Sequence, residues 1–106
     1  MSKYLITGSY TTQGVKGVMA EGGSARVAAV RTLIESLGGT LESMYFAFGN
    51  DDWYITVDLP SNAAMAAGAL TVAATGSTNP RTVVLLTAEE VDAAVKLSPE
   101  YRAPGA

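Results

Sequence analysis

The 106-residue sequence contains neither cysteine nor histidine. Without cysteine there can be no disulfide, no thiolate nucleophile, no iron–sulfur ligation and none of the common structural zinc sites. Without histidine, Ser-His-Asp catalysis, imidazole base chemistry, His-ligated haem and His-based metal sites are excluded as well. Any chemistry must therefore use carboxylates, amines, guanidinium groups, phenols or hydroxyls. We expect no cofactor and no metal site.

Charged residues are also scarce, at 16% of the chain against about 25% in ordinary soluble domains. The net charge is −3, and the seven Lys and Arg residues are dispersed along the chain. A dispersed set of basic residues argues against nucleic-acid binding, which needs Lys and Arg clustered on one surface. A lightly charged surface instead favours contact with another subunit.

The chain is long enough for one modest core. We expect a single domain over residues 1–98, and a tail over residues 99–106 that is either loose or laid across a neighbouring subunit. The first residues show no long apolar region and no processing site, which predicts a cytoplasmic protein without a signal peptide. The apolar stretch over residues 63–75 is too short for a membrane span and is interrupted by Gly68.

The clearest structural signal is a hairpin between Thr40 and Leu59, with its turn at Gly49-Asn50-Asp51-Asp52. Its second arm alternates between two sets of residues: Trp53, Ile55, Val57 and Leu59 share one face, and Tyr54, Thr56 and Asp58 share the other. This period of two is typical of a sheet that is packed on one side.

The segment before the hairpin predicts one strand and one helix. The strand runs from Lys3 to Tyr10, and apolar residues on both of its faces favour a central position in the sheet. The glycine-rich residues 11–23 predict a mobile connection with at most a short helical turn. Ser24 is a plausible N-cap for a helix that ends at Gly38-Gly39.

After the hairpin, residues 60–62 introduce an uncharged, alanine-rich helix over residues 63–75. A helix without a charged face is usually buried on more than one side, although its outer face could simply be uncharged and wet. Residues 80–86 predict a fourth strand, and Thr87 with Glu90 matches the capping box of a short last helix.

The resulting order, β-α-β-β-α-β with a terminal helix, predicts a ferredoxin-like α+β fold with a four-stranded antiparallel sheet. In this fold both main helices cover one face of the sheet and leave the other face open. The apolar residues on both faces of the first and fourth strands favour covering the open face with the sheet of a second copy, as in a dimeric α/β barrel.

Two groups of polar residues are candidate ligand-binding positions. Tyr10, Thr11 and Lys16 lie in and beside the flexible connection, where they could line a small-molecule pocket or belong to a solvated loop. Tyr54 and Asp58 share the open face, where they could form the polar floor of a cavity between two sheets or bond within a dimer interface.

The adjacent carboxylates Asp51 and Asp52 lie in the hairpin turn. Short acidic side chains in turns commonly bond to nearby backbone amides, and this is the structural interpretation. The functional alternative is an oxygen-ligand metal site or a general acid and base, but two neighbouring carboxylates without other convergent ligands support it weakly.

Three segments together resemble the GYD-domain family: Tyr10-Thr11-Thr12-Gln13-Gly14, Leu37-Gly38-Gly39-Thr40, and Tyr45-Phe46-Ala47-Phe48-Gly49-Asn50-Asp51-Asp52. The resemblance covers nearly the whole chain and implies a small ferredoxin-like α/β protein of largely undefined function. Gly49 and Asp52 match the Gly-x-Tyr-Asp signature of the family, and Asp51 stands where the signature has tyrosine.

Three functional hypotheses follow. One is a regulatory or effector-binding partner module, which the sequence does not distinguish from the first of the two described next. The first is a homo-oligomeric α/β module that is not an enzyme and that can bind a small molecule between paired sheets. The second is a cofactor-free enzyme of the dimeric α/β-barrel type, such as an isomerase, a lyase or a monooxygenase-like catalyst. Its catalytic groups would come from Tyr10, Tyr54, Asp52, Asp58 or Lys16.

Overall fold

A computed structural model describes all residues from Met1 to Ala106. We number its four strands and four helices in chain order: β1 (Ser2–Tyr10), α1 (Thr12–Glu21), α2 (Gly23–Ser36), β2 (Thr40–Phe46), β3 (Trp53–Leu59), α3 (Asn62–Ala74), β4 (Thr78–Leu85) and α4 (Ala88–Val95). None of the helices combines the length and the apolar character that a membrane crossing needs.

The four strands form one antiparallel sheet in the order β2-β3-β1-β4. Strand β1 is central and pairs with both β3 and β4, as its apolar residues on both faces predict. Strands β2 and β3 form the predicted hairpin, with an irregularity in register between Leu41 and Ser43. The prediction of a ferredoxin-like α+β fold is therefore confirmed, with one additional helix.

The additional helix is α1, so the prediction of a mobile connection over residues 11–23 is wrong. The hydroxyl of Thr11 caps the helix by accepting a hydrogen bond from the Gly14 N–H at 3.3 Å. Gly14 lies so close to the chain before β4 that an added Cβ would be 2.1 Å from the carbonyl oxygen of Ser77. This glycine permits close packing between distant segments, which the local sequence does not reveal.

The start of α2 was also predicted wrongly. Ser24 lies inside the helix, whose N-cap is Gly22, with φ at 83°. At the other end, the Gly38 N–H bonds to the Glu35 carbonyl at 3.0 Å and the Gly39 N–H bonds to the Ile34 carbonyl at 3.0 Å. This is a Schellman motif, with Gly38 in the positive-φ conformation that the motif requires. The predicted glycine stop signal is confirmed.

The core lies on one face of the sheet. The four alternating residues of β3 (Trp53, Ile55, Val57 and Leu59) are all buried, as their spacing predicts. Helix α2 contributes Ile34 to this core and α3 contributes Met65. Fully burying a side chain of this kind stabilises the fold by about 1.5–3 kcal/mol, so this face carries most of the hydrophobic stabilisation.

The end of the chain projects from this core. The capping box predicted at Thr87 and Glu90 is present and begins α4. However, no residue of α4 is buried, and every residue from Leu86 to Ala106 is exposed. The radius of gyration is accordingly 17.0 Å, compared with about 13 Å for a compact domain of this length.

Candidate functional site

The structure separates the predicted ligand-binding residues onto different surfaces. Tyr54 and Asp58 lie on the open face of the sheet, because they alternate with the buried residues of β3. Tyr10 lies on the opposite, helix-covered face. Thr11 caps α1, and Lys16 is exposed on that helix. These five residues therefore do not form one site.

On the open face, Asp58 is held in an ion cluster. One oxygen of its carboxylate is 3.1 Å from the ammonium group of Lys3, which also pairs with Glu42. Hydrogen bonds to Glu42 and then to Asp58 raise the pKa of Lys3. Beside this cluster, the hydroxyls of Ser43 and Thr56 bond to each other at 2.5 Å. Much of the polar surface on this face is thus already paired within the chain.

Thr11 contacts the segment before β4 in addition to capping α1. Its hydroxyl donates to the carbonyl oxygen of Gly76 at 2.9 Å, and its backbone N–H donates to the carbonyl oxygen of Ser77 at 2.9 Å. Thr11 therefore ties the start of α1 to the segment before β4.

The hairpin turn places its two carboxylates in different environments. Asp52 accepts a hydrogen bond from the backbone N–H of Tyr10 at 2.8 Å, and its own N–H donates to the Gly8 carbonyl at 2.8 Å. Asp51 is buried and pairs with Arg81 of β4. Gly49 lies in open space at the tip of the connection. Asp52 thus ties the hairpin connection to β1 through Tyr10 and Gly8, rather than bonding to an amide of the turn itself.

A cleft lies on the other side of the sheet, between α2 and α3. Its cavity has a volume of about 110 Å³ and is lined mainly by hydrophobic side chains. Val30 and Leu33 line it from α2, Ala69 and Val72 line it from α3, and Ile55 belongs to its floor. Protein cavities of comparable size with apolar walls hold molecules as large as benzene.

The indole ring of Trp53 lies across Gly8 on the floor of this cleft. A Cβ added to Gly8 would be 2.6 Å from Cζ2 of the indole and 2.5 Å from the Asn79 carbonyl oxygen. Only glycine leaves room for the ring here. Tyr10 packs at a tilt against the same indole, with 6.4 Å between the ring centroids.

Two buried polar atoms of residues that line the cleft have no hydrogen-bond partner. They are Nε1 of Trp53 and Oγ1 of Thr78, in residues that are 4% and 9% exposed. Leaving a buried donor or acceptor unpaired costs about 1–3 kcal/mol, and nearly all such groups in folded proteins have partners. The cleft therefore combines apolar walls with two groups that can bind a polar atom.

Tyr10 and Arg26 are further polar residues of the cleft. Partial burial raises the pKa of the Tyr10 phenol, and the nearby positive charge of Arg26 offsets only part of this effect. Tyr10 is consequently a neutral hydrogen-bonding group at physiological pH. Arg26 pairs with Glu21 at 3.0 Å.

Sequence reasoning found only part of this cleft. It selected Tyr10, and the alternation in β3 placed Trp53 in the core, which is correct. Thr78 and Arg26 were missed, because neither lies in a recognisable motif. They reach the cleft through strand pairing and helix packing, and no local signal in the sequence could have indicated this.

Comparisons with known proteins give one match. No curated protein and no solved structure matches this chain significantly. The family model of the GYD domain matches residues 4–95, which include all four helices, strands β2, β3 and β4, and all of β1 except its first two residues. This match extends over most of the 106 residues, so the protein belongs to the GYD domain family.

Proposed function

We propose that the protein is a self-associating module in which two copies pair the open faces of their sheets and α4 of each copy lies on the other. The observation that carries this proposal is that no residue of α4, or of the chain that follows it, is buried. A short helix that buries no side chain in its own subunit needs another surface to stabilise it.

The sequence of α4 supports contact with a partner. Val91 and Val95 are one helical turn apart, so they lie on the same side of the helix, and Val95 is 74% exposed. The helix has only eight residues, whereas isolated helices shorter than about 12 residues are marginal in water. Its capping box alone does not compensate for this short length, and burial of the valines would.

The total surface area supports the same conclusion. The chain exposes 7050 Å², whereas a compact monomer of 10.9 kDa exposes about 5,600 Å². The excess, roughly 1,400 Å², is greater than the approximately 800 Å² that each partner buries in a standard interface. A dimer that covers α4 and the open face would bring the exposed surface into the usual range.

The open face is suited to burial against a second sheet. Its charged group Asp58 is already paired with Lys3, and the hydroxyls of Ser43 and Thr56 satisfy each other. Val83 and Tyr54 add exposed apolar surface to this face. A small molecule held between the paired sheets would meet Tyr54 and Asp58.

The enzymatic alternative stays a prediction, and we rank it second because Asp52 and Asp58 both have structural partners.

Light scattering coupled to size-exclusion chromatography tests the proposal. The full chain should elute as a dimer at micromolar concentration, and the double variant Val91→Ser/Val95→Ser should shift to monomer while circular dichroism shows that the sheet remains folded. Asp92→Ser, on the same helix, is the matched control and should leave the dimer intact. A wild-type chain that remains monomeric throughout the micromolar range would overturn the proposal.

A further inference from the structure

The cleft between α2 and α3 is independent of the proposed dimer contact, because it lies on the opposite side of the sheet. Its walls are mainly aliphatic, and Met65, which lines it, has a flexible side chain that adapts to ligands of different shape. It is therefore a site that each subunit forms alone.

The unpaired atoms of Trp53 and Thr78 define what this cleft can hold. The indole Nε1–H is a donor only, and the threonine hydroxyl can donate or accept. Both residues line the cavity, and both side chains are more than nine-tenths buried without a partner. Acceptor oxygens of a ligand would satisfy both groups.

The walls of the cleft favour an occupant that is mostly apolar. Water can hydrogen-bond to the polar groups of the cleft, but only an apolar molecule gains free energy by covering its hydrophobic walls. Here the volume is about 110 Å³ and twelve of the sixteen lining residues are hydrophobic. The cavity thus fits an occupant with an apolar body and a single polar end.

The positive charge of Arg26 determines which polar end such a molecule should have. Arg26 is its one charged lining residue, and no Asp or Glu lines the cavity. Arg26 also lies beside Tyr10, whose phenol is a further donor. Because arginine and indole groups can only donate, an acceptor with negative charge is favoured over a neutral one, and an amine is disfavoured.

We propose that the cleft between α2 and α3 binds a small apolar carboxylic acid, with its hydrocarbon part between the helices and its carboxylate directed to Trp53, Thr78 and Arg26. The binding is non-covalent. It places a charged acceptor opposite the otherwise unpaired groups of Trp53 and Thr78 and near Arg26, which also pairs with Glu21 at 3.0 Å. Gly8 supports this site from below, since only glycine leaves room for the Trp53 indole there.

The chain has one tryptophan, so the NMR signal of a single indole N–H reports directly on the site. We would titrate the full-length protein with benzoate, benzamide and benzylamine, which share a ring and differ in charge. Benzoate should shift the Trp53 Nε1–H signal downfield with saturation, about tenfold more tightly than benzamide. Benzylamine should give no saturable shift.

Two variants separate the parts of the proposal. Thr78→Val removes an unpaired hydroxyl without changing the side-chain shape, so the fold should keep its stability while benzoate binding weakens about tenfold. Arg26→Gln should abolish the preference for benzoate over benzamide. Arg31→Gln, an exposed arginine on the same helix, is the control and should leave both affinities unchanged.

Different results of the titrations would overturn different parts of the proposal. If neither benzoate nor benzamide produces a saturable shift of the indole signal, the cleft is not a ligand site and the proposal is overturned. If benzamide binds as tightly as benzoate, or if Arg26→Gln preserves the preference, the assignment to carboxylic acids is overturned. None of these outcomes depends on the oligomeric state, which light scattering measures separately.

Discussion

The carboxylate of Asp51 forms an ion pair with the guanidinium group of Arg81, which connects the hairpin turn to the edge strand β4. The two partners differ in environment: the Asp51 side chain is 10% exposed and that of Arg81 is 66% exposed. This chain therefore holds the turn against β4 with a charge pair whose acidic partner is largely buried.

This pair predicts a measurable loss of stability. Arg81→Gln should lower the free energy of unfolding by about 1–2 kcal/mol, because it leaves a buried carboxylate without its partner, while the exposure of Arg81 limits the effect. Urea denaturation measures this loss, and Arg102→Gln in the exposed tail is the control. A double-mutant cycle with Asp51→Asn that shows no coupling energy would contradict this account of the turn.

A second prediction concerns the floor of the cleft. Gly8→Ala should destabilise the protein by about 2–3 kcal/mol, because the added Cβ collides with the Trp53 indole and the Asn79 carbonyl oxygen. Gly17→Ala is the matched comparison: nothing lies within 4 Å of its new Cβ, and alanine favours a helix interior by about 0.5–1 kcal/mol. Denaturation curves for the two variants should therefore move in opposite directions, and a similar shift in both would refute this explanation.

The third prediction concerns alkaline pH. Burial raises the pKa of Tyr10 above its ordinary value of 10.0. The phenol therefore contributes stability that is present below pH 10 and is lost as the pH rises through the raised value. The difference in tyrosinate absorbance between the wild type and Tyr10→Phe should titrate with a midpoint above pH 10. The wild type should also lose more stability than Tyr10→Phe over this interval, and a midpoint at or below pH 10 would contradict the prediction.

The fourth prediction links local helix formation to assembly. Thr87→Ala removes the capping box of α4 and should cost each helix about 1 kcal/mol. The proposed dimer contains two copies of α4, so its dissociation constant should rise about thirtyfold. Circular dichroism and the dimer dissociation constant are the two measurements, with Ser98→Ala outside the helix as the control. If helicity falls and the dissociation constant does not change, α4 is not part of the interface.

Some elements of the fold were predicted correctly from short sequence patterns, and others were not. The period of two in β3 predicted its buried face because side chains alternate strictly along a strand. Thr87 with Glu90 predicted the start of α4, and Gly38 predicted the end of α2, because caps satisfy backbone groups within a few residues. Helix α1 was missed because its glycines weaken the helical signal, while its stabilising contacts come from residues more than sixty positions away, at Gly76 and Ser77.

The sequence by itself thus determined the strands, their order, the buried face of the hairpin and the absence of thiol and imidazole chemistry. The tertiary structure alone decided which polar groups meet. It separated Tyr54 and Asp58 from Tyr10, and it brought Trp53, Thr78 and Arg26 to one cleft. The physical reason is that alternation and capping act within a few residues, whereas strand pairing and helix packing join distant parts of the chain.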